Sequence, residues 1–293
     1  MSDPNVVTTQ TGWFSRLGKA FGGILIGLII VFAGMWLLGW NEGRAVKRER
    51  ALNEGAGVVQ SVDVNTIDPT HDGALIHLTG ETTVSDSLYD NSWPVSVQAL
   101  RLMRDVEMYQ WRETSRSETR TRMGGGQETV TTYEYERVWS TSHEDSSNFH
   151  NPNGHQNPSF PVEAASFTSS DARLGAYRLD TRIIEQIGSS EPLTLDGDTQ
   201  NALLNQSGRR ATVSASELYL GSDPSTPEVG DTRISWRVVR PGTISVIAAQ
   251  MGDGLGTFQT RNGSSILLVE DGSVGAAQMF EGAQAANRAL LWG

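Results

Sequence analysis

The chain contains no cysteine. Disulfides, thiolate nucleophiles and cysteine zinc sites are excluded, and a Cys-free chain fits either redox compartment. Lysine is absent beyond residue 50, where 17 arginines against 31 acidic residues leave −14; the first 50 residues carry +3, which gives the overall −11. Phosphate binding needs a basic face, so this acidic balance argues against a nucleic-acid partner. Enzyme signatures are also scarce. There is no G-x-S-x-G elbow and no H-E-x-x-H. The five histidines are His71, His77, His143, His150 and His155. The last three sit near Glu144 and Asp145 without a metal-ligand spacing, so solvated loop histidines are the expectation and no metal site is assigned. Gly252–Gly256 is rich in glycine but leads into no clear helix start, so it reads as a hairpin turn rather than a phosphate cradle. No catalytic residue and no cofactor is expected.

Charge is missing from one further stretch, Ala20–Trp40, 21 residues of AFGGILIGLIIVFAGMWLLGW. As a helix this run is about 31 Å long, the thickness of a bilayer's hydrocarbon core. A signal peptide would have a shorter apolar run and a small-residue cleavage site. Here the run is followed by Trp40-Asn41-Glu42-Gly43-Arg44, so a retained transmembrane helix is the reading. Trp13 and Phe14 before it and Trp36 and Trp40 at its end suit the two headgroup interfaces and are the expected membrane-anchoring rings. Residues 1–19 read as an interfacial segment, with a short helix from Thr11 to Phe21. Gly23 and Gly27 form a G-x-x-x-G on one helix face, a candidate helix contact. Residues 41–50 read as a basic juxtamembrane linker. Its Arg44, Lys47, Arg48 and Arg50 are candidates for contact with anionic lipid, which attracts such charges by about 1 kcal/mol each. Arg16 and Lys19 before the run against Arg44, Lys47, Arg48 and Arg50 after it favour the long domain inside, but large domains translocate largely regardless of nearby charge, so the count does not settle the orientation.

Residues 51–290 are long enough for one large domain and read as mostly β. Gly73–Thr83 alternates apolar and polar residues as a strand does. Arg233–Arg240 and Thr243–Gln250 flank Pro241-Gly242 and read as a hairpin, and Ser265–Glu270 as a further strand. Two helices are expected. One starts at the N-cap Asp180, ends at Gly188 and turns Ile183, Ile184 and Ile187 inward. The other, Ser273–Leu290, carries Met279, Ala283, Ala286 and Leu290 on one stripe. Asn148–Pro161 is a loop by its Asn, Pro and Gly content.

The most distinctive segment is 104–142. Runs of Thr, Tyr, Val and Trp lie on both sides of Gly124-Gly125-Gly126, a protruding-hairpin signal. Pairing about Gly125 sets Trp111 opposite Trp139, Glu113 opposite Arg137, Arg116 opposite Glu134 and Arg122 opposite Glu128. Each such match is worth about 0.2–1 kcal/mol. A hairpin that is polar on both faces serves as a solvated arm or as a self-association element, and composition leaves both open.

At these residues the chain also resembles a known family. NEGRAVKRERALNEG (41–55), DVEMYQWRE (105–113), the Tyr-rich strand to Trp139, GHQNPSFPVEAASF (154–167) and TPEVGDTRISW (226–236) are similar, in order and spacing, to the transmembrane protein 43 (LUMA) family. The Arg-rich, Lys-poor composition is more like a bacterial member. The resemblance implies one N-terminal span and a large domain in the lumen or periplasm, with further spans beginning where this chain stops. It implies no enzymatic activity. It implies a membrane scaffold that self-associates and organises other membrane or envelope proteins.

The expected fold is therefore a membrane-anchored α+β chain: one N-terminal transmembrane helix, then a large, mostly β extracytoplasmic domain with a long hairpin and a few short helices. The expected place is a bacterial inner membrane with a periplasmic domain. The expected partners are the lipid bilayer, further copies of the chain and other membrane or envelope proteins. The alternative is a component of a channel or transport assembly whose pore lies in C-terminal spans. Ala20–Trp40 has no polar lining of its own to offer such a pore.

Overall fold

The computed structural model describes the backbone of residues 5–11, 13–121, 123, 126–208 and 210–292, and the side chains of these except 11, 13–25 and 290–292. In chain order the main elements begin with strand β1 (Val6–Thr11) and helix α1 (Trp13–Val58). Strands β2 (Leu75–Thr83), β3 (Arg101–Thr121) and β4 (Gln127–Ser140) follow. Helices α2 (Thr181–Gln186) and α3 (Gly197–Ser207) precede β5 (Thr232–Val239), β6 (Thr243–Met251) and β7 (Leu268–Asp271). Helix α4 (Ala276–Trp292) comes last. One N-terminal apolar helix followed by a mostly β body with short helices is the architecture expected above.

Helix α1 is longer than the apolar run. Its 46 residues form one helix of about 69 Å. The juxtamembrane linker and residues 13–19 of the segment read as interfacial therefore belong to the same helix as the span, whereas Val6–Thr11 form a strand and not the start of the expected Thr11–Phe21 helix. No proline interrupts Trp13–Val58, and the linker's Glu, Arg, Lys, Ala and Leu are good helix formers. Over Ile26–Trp40 the large apolar side chains are bare: Trp36 is 65% and Trp40 55% exposed. The helix is long and apolar enough to cross a membrane. From Ala45 onward one face turns inward, with Ala51 and Leu52 fully buried.

The chain divides into two compact units. The first comprises residues 1–37, 106–163 and 207–234. Its sheet runs β1-β4-β3-β5, then the short strands Glu217–Leu220 and Ala211–Val213. The long hairpin exists, with β3 and β4 paired antiparallel from Met108↔Ser140 to Thr121↔Gln127. Its register differs by two residues from the expected one. Trp111 faces Arg137, Tyr109 faces Trp139, Glu113 faces Tyr135, Arg116 faces Thr132 and Thr114 faces Glu134. The Trp111–Trp139, Glu113–Arg137 and Arg116–Glu134 pairs are corrected accordingly; Arg122, of the fourth expected pair with Glu128, lies outside the described residues. A two-residue slip keeps every side chain on its face, so inside–outside patterning cannot choose between the registers. Exposed ion pairs contribute little and cannot choose either. The observed register sets Arg112 opposite Glu136 and Arg120 opposite Glu128, while the ion pairs of these arginines are with Glu144 and Glu118. It adds a hydroxyl ladder, Ser117–Thr131 at 2.8 Å and Thr119–Thr129 at 3.1 Å. It also adds a tilted Tyr109–Trp139 ring pair at 5.3 Å.

Strand β1 was not read from the sequence. Its six residues pair antiparallel with the outer edge of β4, Val6↔Thr132 through Thr11↔Gln127. Val-Val-Thr-Thr is a β-branched run, which was the available signal.

The second unit comprises residues 38–105, 164–206 and 235–293. Its seven-stranded sheet runs β7-β6, then Gly254–Gly256, Tyr177–Arg178 and Arg173–Leu174, then β2 and Gln60–Ser61. Strands β6 and β2 also pair directly, Thr243↔Glu81 to Ala249↔Leu75, which closes the inner strands into a small ring. Strand β6 is buried on both faces. Ile244, Val246 and Ala248 join Ile76, Leu78, Leu174, Tyr177 and Ile183 in one core. Ile247, on the other face, meets Leu52 of α1 and Met279 and Phe280 of α4. That burial corrects the expected 233–250 hairpin: β5 and β6 both exist but lie in different sheets. The Pro241-Gly242 turn passes the chain from one to the other, since a strand apolar on both faces is best placed in a sheet's interior. The turn at Gly252 joins β6 to Gly254–Gly256 as a hairpin, as expected. Asp180 caps α2 by accepting from Ile183 N at 3.2 Å.

Candidate interaction sites

Two surfaces bring the sequence-derived residues together. The first is at the foot of the anchor, within the second unit. α4 runs antiparallel to the last third of α1. Phe280 meets Gly55, Gln284 Nε2 donates to Asn53 Oδ1 at 2.9 Å, and Asn287 Nδ2 donates to Ala45 O at 3.0 Å. A Cβ on Gly55 would lie 2.5 Å from Ile266 Cδ1 and 3.0 Å from the Phe280 ring. Glycine is thus what lets the two helices meet there. Arg288 pairs with Glu49 at 3.6 Å.

Beside these contacts α1, α4 and β7, with Gln186 of α2, line a groove of about 680 Å³. Arg44, Lys47 and Arg48 line it from α1, Leu268 and Glu270 from β7, and Ala283 and Ala286 from α4. Arg48 Nη1 donates to Ser265 O at 2.7 Å, which fixes its guanidinium. Among the described residues no carboxylate pairs with Arg44, Lys47 or Arg48. Arg50, the fourth basic residue of the cluster, does not line the groove. The cluster noted in the sequence thus divides into three residues that converge and one that does not. Among the anchoring candidates, Trp36 and Trp40 lie exposed on α1. The side chains of Trp13 and Phe14 and the surroundings of Gly23 lie outside those described. A Cβ on Gly27 would meet nothing, so that helix face stands open.

The second surface is the hairpin, within the first unit. The 143–160 loop folds onto one face of β3 and β4 rather than standing in solvent. His155 stacks on Tyr135 at 3.9 Å and meets Trp111 edge-on at 4.8 Å; His150 stacks on Tyr133 at 4.2 Å. His155 Nδ1 lies 2.9 Å from Asn151 O and donates to it. Asn157 acts as a surrogate strand: its Oδ1 accepts from Trp111 N at 2.7 Å and its Nδ2 donates to Trp111 O at 2.8 Å. Tyr135 donates to Glu113 at 2.7 Å. Desolvation first, then that bond, pushes the Tyr135 hydroxyl above its usual range. Arg137 lies over the Trp111 ring at 5.4 Å and Arg233 over Trp139 at 3.9 Å. Tyr219 donates to Asp231 at 2.5 Å, and burial together with that carboxylate raises its hydroxyl strongly. These phenols are structural donors, not acids near neutral pH. Beyond Thr114 the β3 side chains are exposed to the tip. Arg116 and Glu134 lie on this outer half. Among the described residues no cluster of three His, Asp or Glu side chains is placed to hold a metal.

Comparison with known proteins follows this geometry. The family model described as Transmembrane protein 43 matches residues 108–293. Transmembrane protein 43 of Rattus norvegicus is 32% identical over 304 aligned residues, covering 100% of this chain and 73% of the relative. That of Homo sapiens is 32% identical over 300, covering 98% and 73%. The Drosophila melanogaster homolog is 31% identical over 267, covering 87% and 68%. None of these names states a reaction. No solved structure matches the chain.

Proposed function

The chain belongs to the transmembrane protein 43 family, and from that premise we propose that it is a non-enzymatic membrane scaffold. It is held in a bacterial inner membrane by residues 20–40. Residues 51–290 are periplasmic and join further copies of the chain, and through them other membrane or envelope proteins.

One observation carries the reading of self-association: the outer edge of β4 accepts an antiparallel strand over six residues. That strand is β1, which precedes the span, whereas the hairpin follows it. A polar strand pair cannot pass through hydrocarbon, because its edges would leave backbone groups unsatisfied there. In the inserted protein of this proposal β1 and the hairpin tip are on opposite faces of the bilayer. The β1–β4 pairing is then released, and residues 127–132 are left as an open edge, a template for a strand of another copy.

The experiment is light scattering of three proteins: the parent chain, a version lacking residues 1–50, and one lacking Thr114–Val138. The anchor-free form should still associate, and the hairpin deletion should reduce the mass of the parent assembly. A monomeric anchor-free form together with an unchanged hairpin-deleted parent would refute this assignment and move the weight to the membrane helices.

A further inference from the structure

We infer that the groove at the foot of α1 is a seat for one anionic phospholipid, with Arg44 and Lys47 binding its phosphate. The inference rests on the reading of α1 as a membrane span.

Position is the first argument. Arg44 lies about 6 Å and Arg48 about 12 Å along the helix axis beyond Trp40. The headgroup layer extends about 5–7 Å outside the hydrocarbon core on each side. The mouth of the groove is therefore at headgroup level, where a lipid enters by lateral diffusion.

Charge is the second argument. Residues 51–293 carry a large acidic excess, yet this groove gathers three cations from α1 and one carboxylate, Glu270, from its lining. No carboxylate neutralises the three among the described residues. Arg48 is oriented by Ser265 O, so its remaining N–H groups are positioned at low further entropic cost. Arg44 and Lys47 are free to close on a phosphate, and charge-assisted bonds of that kind are about twice as strong as neutral ones.

Wall chemistry is the third. Leu268, Ala283 and Ala286 give an apolar side wall beside the cations. Such a wall suits a glycerol backbone and the top of an acyl chain, and gives nothing to a free inorganic anion. Glu270, also in the lining, provides an acceptor for a hydroxyl-bearing headgroup.

A diffuse basic collar would use all four cluster residues alike; a groove uses three. Arg50 is thus an internal control. The full chain is purified in a neutral maltoside detergent and titrated with phosphatidylglycerol or phosphatidylcholine. Bound lipid is counted by native mass spectrometry. The parent chain should retain one phosphatidylglycerol per chain, about tenfold better than phosphatidylcholine. The double variant Arg44→Gln/Lys47→Gln should lose that preference, while Arg50→Gln stays within about twofold. Inorganic phosphate at millimolar concentration should not displace the lipid. Equal losses for Arg50→Gln and the double variant would overturn the groove in favour of a collar. An unaffected double variant, or displacement by inorganic phosphate, would overturn it as well. Arg44 and Lys47 are exposed, and an unchanged thermal midpoint confirms folding of the variants. Carbonate-resistant pelleting with membranes scores the span separately, so lost lipid preference in a chain that still pellets counts for or against the groove alone.

Discussion

The sharpest stability prediction concerns Asp90. Its carboxylate is fully buried in the second unit and pairs with Arg104, whose side chain is 4% exposed. The same carboxylate accepts from Trp236 Nε1 at 2.9 Å and from Ser92 N at 2.8 Å. Trp236 is itself wholly buried. In Asp90→Ala the Arg104 guanidinium stays in the interior without its counter-ion. Breaking a buried pair by removing one partner costs about 3–5 kcal/mol. A buried indole N–H left without an acceptor adds about 1–3 kcal/mol. These groups share one acceptor and do not add fully, so the expected loss is about 4–6 kcal/mol. At about 2–4 °C per kcal/mol for a domain of this size, the thermal midpoint should fall by about 10–20 °C. Near-UV circular dichroism of the full chain in detergent is the assay. The argument is about unpaired charge, so removing both charges must hurt less. Asp90→Leu/Arg104→Met should recover at least half of the loss. A double variant as unstable as Asp90→Ala would refute the reasoning, because the cost would then come from shape and not from charge.

Three further outcomes follow. Gly55→Leu should lower the midpoint although leucine is the better helix former, since overpacking against Ile266 and Phe280 costs about 1–3 kcal/mol against a propensity gain of about 0.8; a raised midpoint would contradict the close approach of α1 and α4. Asn157→Ala should uncover both backbone groups of Trp111 and cost about 1–3 kcal/mol, read as faster amide exchange at Trp111, and unchanged exchange there would remove the surrogate-strand role. Asp68, Asp145, Asp196 and Asp223 are held below the usual 3.8 by hydrogen bonds from Ser or Thr two or three residues on. The stability they contribute is present above that value and lost as pH falls through the lowered ones. The acid-unfolding midpoint of the chain should therefore move when all four are changed to Asn, and an unmoved acid limb would show that they play no part.

What the sequence disclosed, and what it did not, follows from which signals are local. The apolar run and the Asp180 cap are properties of neighbouring residues, and each appears as read; of the Met279 stripe, Met279 is buried and Ala283 half-buried, Ala286 is exposed, and the Leu290 side chain lies outside those described. The hairpin's existence is local too, since two β-rich runs flank three glycines. Its register is not, because a slip of two residues leaves both faces intact and the choice falls to ring and hydroxyl contacts. Pro241-Gly242 marks a turn, but a turn dipeptide does not say whether its flanking strands pair. Strand β1 is six residues of modest signal beside a dominant apolar run, and α3 is a polar helix whose Asp196 cap was the available cue. His150 and His155 have no sequence periodicity with Tyr133 and Tyr135; only the folded-back loop joins them. The groove draws on residues 41–48, 186, 264–270 and 282–287, four segments that no local window contains, so the basic cluster was visible and its division was not.

The central claim is that residues 20–40 cross the bilayer and leave the hairpin on the far side from the amino terminus. The absence of native cysteine makes the direct measurement simple. Single cysteines replace Ser2 and Gly125, and intact spheroplasts are treated with an impermeant maleimide. The account predicts labelling at position 125 and none at position 2 until the membrane is opened. Labelling at position 2 but not at 125, or at both in sealed spheroplasts, would contradict it; the second result would mean that β1 stays beside the hairpin and that the span does not separate them.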